Sequence, residues 1–137
     1  MINLQEVAHI TVHHSASASD TTLEEIRQWH RQKGWRDCGY HFVIESDGEV
    51  RHGRPLSKMG AHVRNHNERN IAICVVGDNT VQGSSWTAAQ CLSLRELCYS
   101  LRRVYNLEPT DILGHRDWDG AKTECPGVDL SAILGAC

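Results

Sequence analysis

The segment Asn70-Ile71-Ala72-Ile73-Cys74-Val75-Val76 constrains this chain more than any other, because an unbroken apolar run rich in β-branched side chains predicts a fully buried strand. A strand without a polar face needs cover above and below it. Two helices are available to supply that cover. Thr22-Leu23-Glu24-Glu25 and Thr87-Ala88-Ala89-Gln90 both have capping-box spacing. The first opens a helix that runs to about Lys33 and stops at Gly34. The second opens one whose Leu94, Leu97, Cys98, Leu101 and Tyr105 recur at helical spacing as a core face.

Further strand signals surround these helices. His9-Ile10-Thr11-Val12-His13 is a β-branched strand, and Tyr40-His41-Phe42-Val43-Ile44-Glu45 with Glu49-Val50-Arg51-His52 forms a hairpin turning at Ser46-Asp47-Gly48. Asp111-Ile112-Leu113-Gly114 is a short strand, and a brief helix from Asp129 to Leu134 closes the chain. The stretch from Arg54 to Arg69 lacks periodicity and is expected to be a surface loop of the kind that lines binding grooves. The expected fold class is α/β, a single domain over residues 1–137 with a mixed central β-sheet flanked by helices. No internal repeat or linker interrupts it.

Composition narrows the function classes. A chain of 137 residues can bury roughly two-thirds of its unfolded surface, enough for a core without disulfide staples. The formal charge of -3, with Lys and Arg spread along the chain, gives no basic stripe, so nucleic acid is not an expected partner. Ile2-Asn3-Leu4-Gln5-Glu6-Val7 is too short and polar for a secretion signal, and no run is long enough for membrane insertion. Synthesis in the cytosol is expected, with the six cysteines reduced. Most of Cys38, Cys74, Cys91, Cys98 and Cys137 are then small core hydrophobes, with Cys74 inside the apolar run and Cys91 and Cys98 on the apolar side of a helix. Cys125 differs, lying in a polar, turn-rich segment beside a proline.

Chemistry concentrates at strand ends. His13-His14 ends the first strand, Gly114-His115-Arg116-Asp117 follows the last, and Cys125 comes ten residues after His115. Two imidazoles and a thiolate suit zinc and leave a fourth position open, as in catalytic rather than structural sites. Side chains alternate along a strand, so one of His13 and His14 points into such a site, and spacing leaves both open. The other histidines have plainer readings: His30 on a helix face, His41 in an alternating strand, His52 in a hairpin, His9 at a strand edge and His66 in a solvated loop. Trp29 and Trp35 are expected to pack around the first helix.

Val12-His13-His14-Ser15, Ile26-Arg27-Gln28-Trp29-His30, Gly34-Trp35, Gly39-Tyr40-His41-Phe42-Val43-Ile44, Gly60-Ala61-His62, Asn70-Ile71-Ala72-Ile73, Gly114-His115-Arg116-Asp117 and Thr123-Glu124-Cys125-Pro126-Gly127 together resemble the zinc N-acetylmuramoyl-L-alanine amidases, the amidase type 2 and peptidoglycan recognition protein family. The resemblance runs in order from about Val7 to Leu130. It implies that His13, His115 and Cys125 hold one zinc ion per chain, and that Tyr40 is a catalytic partner beside it. It gives Thr123 a catalytic role in a position where phage lysozymes of the family carry lysine. His62, in the groove-like loop, is a candidate substrate contact. The implied reaction is hydrolysis of the amide between N-acetylmuramic acid and L-alanine in bacterial peptidoglycan.

The resemblance further implies a phage or prophage endolysin, monomeric and without a separate cell-wall-binding domain. It would be made in the host cytoplasm and reach periplasmic peptidoglycan after a separate factor permeabilises the membrane. A recycling amidase is the alternative biology, and a noncatalytic wall-binding module the alternative class. Family analogy also permits a phage RNA polymerase partner.

Overall fold

A computed structural model describes residues 6–135 of the chain, so Cys137 and most of the amino-terminal segment read above lie outside the described residues. Five strands, β1 (His9–His14), β2 (Phe42–Ile44), β3 (Val50–His52), β4 (Asn70–Val75) and β5 (Ile112–Gly114), form one sheet in the order β3-β2-β4-β1-β5. The β1/β4, β1/β5 and β2/β4 pairs are parallel, and the β2/β3 hairpin is antiparallel. The mixed sheet expected from sequence is therefore present.

The two faces of β4 explain its unbroken apolar run. Ile71, Ile73 and Val75 pack with Ile10 and Val12 of β1, Phe42 and Ile44 of β2, and Leu94, Cys98 and Leu101 of α2 (Ala88–Tyr105). Leu134 of α3 (Leu130–Leu134) joins this layer. Cys74 and Val76 face the other way, with Val43, Cys38 and the Leu23 and Ile26 side chains of α1 (Leu23–Gln32). Each of these Ile and Leu side chains contributes about 1.5–3 kcal/mol on full burial, so both helices are anchored mainly by their apolar faces. Capping boxes at Thr22 and Thr87 start both helices as read from sequence.

Several local expectations are revised. β1 is an interior strand, so His9 is not at a sheet edge; it is half-buried at the strand's start, with its ring edge-on to Trp118 at 5.0 Å. His66 is not simply solvated, because its ring stacks on Trp118 at 4.9 Å and its Nε2 lies 3.1 Å from the Asp119 carbonyl oxygen. Trp29 and Trp35 are 41% and 37% exposed, and of the two it is Trp35 whose ring packs on α1, 4.7 Å from that of His30. Cys91 is only half-buried. Asp111 belongs to a 3-10 turn, Pro109–Asp111, and Tyr40 precedes the strand it was assigned to. A second 3-10 turn, His115–Asp117, follows β5. Both turns are too short to produce a hydrophobic period, which is why the pattern of apolar residues does not show them. Among the described residues no helix is long and apolar enough to cross a membrane.

Candidate metal centre

The carboxyl ends of parallel strands are where open α/β sheets leave a crevice, and β1 and β5 deliver histidines there side by side. Strand alternation puts Ile10 and Val12 on the α2 face and His13 on the face shared with Cys74, its register partner in β4. His14 points the other way. Its Nδ1 accepts a hydrogen bond from Asn79 N–H at 3.3 Å and lies 3.7 Å from Asp78, so the choice left open by the sequence falls on His13.

The 3-10 turn after β5 presents His115, and its ring lies 4.7 Å from that of His13. The loop beyond Trp118 then folds back, fixed where Arg116 N–H donates to Cys125 O at 2.8 Å and Asn79 Nδ2 to Pro126 O at 2.8 Å. This return brings Cys125 Sγ to 3.8 Å from His13 Nδ1, with the His14 main-chain N–H donating to the sulfur at 3.3 Å. One potential donor atom from each of His13, His115 and Cys125 lies within 4.8 Å of the others, the one such metal-holding group among the described residues.

Their chemistry suits a cation. Burial, then the neighbouring His62, His115 and His14, holds the His13 pKa well below its usual value, while burial and His14 lower that of His115. Both therefore present neutral imidazoles, the form a metal requires. Burial pushes the Cys125 thiol up to about 12, against the opposing His14 N–H. A bare thiolate is thus disfavoured there, and a soft divalent cation is the natural charge to stabilise one. The three donors thus fit a soft divalent cation.

Around them is a cavity of about 270 Å³ that also takes in Tyr40, His30, His62, Trp35 and Thr123. Tyr40 lies with its ring 5.2 Å from His13 and has Cys74 as a neighbour. Burial first, then Cys74 and Cys125, pushes its pKa well above the normal phenol range, so it remains a donor. Thr123 is exposed at the rim and its Oγ1 accepts the Cys125 N–H at 3.1 Å. His62 lines the same cavity, but its Nδ1 is 2.9 Å from His13 Nε2 and its Nε2 is 3.1 Å from Asn70 O. A wider groove of about 840 Å³ adjoins this one, sharing Trp35 and Ala61 and bordered by Arg36, Arg54 and Lys58. The smaller cavity carries the cluster that could hold a metal.

Sequence reading missed two contributors. His30 is buried on α1, accepts the Gly39 N–H on Nδ1 at 2.8 Å, and packs against Trp35 and Tyr40. Cys74 neighbours Tyr40 from within β4 and raises its pKa. Neither has a local signature, since each acts on a residue that only the sheet brings near. His41 is structural as expected, its Nε2 donating to Lys58 O at 2.8 Å and its Nδ1 accepting the Ala72 N–H at 3.0 Å.

Residues 3–128 match a family described as N-acetylmuramoyl-L-alanine amidase. The endolysin of Klebsiella phage KP32 is 38% identical over 131 residues, covering 92% of this chain and 84% of that protein. The endolysin of Escherichia phage T7 is 38% identical over 126 residues, covering 88% and 81%. Among solved structures, the N-acetylmuramoyl-L-alanine amidase LysC from Clostridium intestinale URNW superposes with a TM-score of 0.83 at 32% identity, covering 98% of this chain and 89% of that one.

Proposed function

The chain belongs to the N-acetylmuramoyl-L-alanine amidase family, and from that premise we propose that His13, His115 and Cys125 hold one zinc ion, with Tyr40 and Thr123 as its catalytic partners. The protein is a peptidoglycan amidase of the phage endolysin type, hydrolysing the bond between N-acetylmuramic acid and L-alanine. One observation carries the metal assignment: two imidazoles and a thiol, brought together from β1, the turn after β5 and the loop that folds back, converge beside an open cavity.

Zinc bound there supplies a Lewis acid and lowers the pKa of water to about 7, which makes water a usable nucleophile near neutral pH. The protein's own groups do the remaining work. Tyr40, kept protonated by burial, donates its O–H to the scissile carbonyl oxygen as negative charge builds there. Thr123 uses its oxygen to hold the Cys125 N–H, leaving its hydroxyl proton to point at the same developing charge. His30 and Trp35 form the wall beside Tyr40 and limit water on that side. A stem peptide leaving the scissile bond has the adjoining groove in its path, where Arg36, Arg54 and Lys58 suit carboxylates. The same reading has a monomer of one domain, made in the host cytoplasm and reaching peptidoglycan through a separate permeabilising factor.

Digestion of purified peptidoglycan tests the assignment. Stem peptides with free L-alanine amino termini are expected by mass spectrometry, with no new reducing sugar ends and with loss of products after chelation. New reducing ends without free L-alanine amines would overturn the amidase reading, since glycan cleavage works through paired carboxylates at a sugar acetal. Binding without products from a zinc-loaded sample would indicate a recognition module.

A further inference from the structure

An imidazole that serves a metal must present a bare nitrogen to it, so whatever fixes the proton on the opposite nitrogen governs the site. We propose that His62 is a positioning residue for His13, accepting the His13 Nε2–H and thereby holding the His13 Nδ1 lone pair toward Cys125 and His115. This rests on the metal assignment above.

The direction of the bond follows from its far end. His62 Nε2 lies 3.1 Å from the main-chain oxygen of Asn70, which can only accept, so this nitrogen carries the proton. A neutral His62 then has a bare Nδ1. That atom lies 2.9 Å from His13 Nε2, and two bare acceptors do not approach so closely, so the proton between the rings belongs to His13. His13 Nδ1 is left bare, 3.8 Å from Cys125 Sγ. The chain therefore runs one way, from His13 to His62 to Asn70.

Its terminus is rigid. Asn70 is fully buried, with its Oδ1 accepting the Thr11 hydroxyl at 2.7 Å and its Nδ2 donating to His66 O at 2.8 Å. Thr11 in turn accepts the Trp118 indole N–H at 2.9 Å. His62 itself is seated by its main-chain N–H on Asn67 Oδ1 at 2.9 Å. Gly60 leaves room for the ring, since a Cβ there would lie 2.9 Å from His62 Cδ2. With both ring nitrogens engaged inside the protein, the proposal gives the His62 imidazole to His13 in place of a substrate contact.

Zinc affinity measured by competition with a chromophoric chelator, in wild type, His62→Ala and His62→Gln, tests this. His62→Ala is expected to bind zinc about 10- to 100-fold more weakly. His62→Gln should recover much of the loss, because an amide can accept from His13 and donate to Asn70. Long-range proton–nitrogen NMR of the metal-free wild type should show His13 protonated on Nε2, a readout that stands even if a variant fails to fold. Equal zinc affinity in all three proteins with only KM raised would overturn the proposal in favour of substrate contact, and so would His13 protonated on Nδ1. Absence of zinc binding by the wild type would instead overturn the metal assignment, with the NMR tautomer still deciding the role of His62.

Discussion

Tyr40 is the residue whose chemistry depends most on its surroundings. Its ring sits between His13 and His30, and burial with three neighbouring cysteines keeps the phenol protonated through the neutral range. A group so placed contributes as a hydrogen-bond donor, not as a base. Tyr40→Phe should therefore retain the fold and its zinc while turnover falls by roughly 10²- to 10³-fold, the scale for removing one oxyanion donor. Steady-state kinetics with metal analysis checks this, and wild-type turnover would make Tyr40 a packing residue. Thr123→Val should lose less, since Thr123 is exposed and its oxygen mainly supports the Cys125 loop. At this scale the sequence was partly legible. Strand alternation showed that one of His13 and His14 enters the site, but choosing between them required knowing which face of the sheet carries it.

Helix α2 shows how a local signal and a tertiary one can coincide. Gln90 closes the capping box by accepting the Thr87 N–H at 2.8 Å, and its Nε2 also donates to Ile44 O at 3.1 Å and Val76 O at 2.9 Å, at 1% exposure. The cap therefore ties the helix to the ends of β2 and β4. Thr87→Ala should cost about 1 kcal/mol, as for an ordinary N-cap. Gln90→Leu should cost more, roughly 2–4 kcal/mol, because two buried carbonyls lose their donor. Urea unfolding of both variants compares them, and equal losses would reduce Gln90 to a cap alone. The capping spacing was visible in sequence because it spans only three residues. The carbonyls of Ile44 and Val76 were not, being 46 and 14 residues away. The same limit hid the pairing of His62 with His13 across 49 residues, although both had been singled out.

Across the whole molecule, α1, the segment leading into Tyr40 and the Arg54–Arg69 loop close over one face of the sheet, and His30 joins them. Its Nδ1 takes the Gly39 N–H, and Gly39 lies so close to the loop that a Cβ there would be 2.0 Å from Ala61 O. Burial, then Lys33 and Arg54, lowers the His30 pKa to about 4, against the opposing Asp37. Protonation also removes the acceptor for Gly39. In the unfolded chain a histidine takes its proton near pH 6.5. Between that pH and about 4 the unfolded state therefore holds a proton that the folded state does not, so the stabilisation is complete above pH 6.5 and is lost as pH falls toward 4. The slope from one such group is at most about 1.4 kcal/mol per pH unit. His30→Asn has no imidazole to titrate, so its deficit relative to wild type should be largest near pH 7, roughly 1–3 kcal/mol, and shrink steadily toward pH 4.5. Chemical denaturation of both proteins across that range measures it. A deficit independent of pH would mean that His30 contributes packing alone, and that the closure over Tyr40 has no acid-sensitive link at this position.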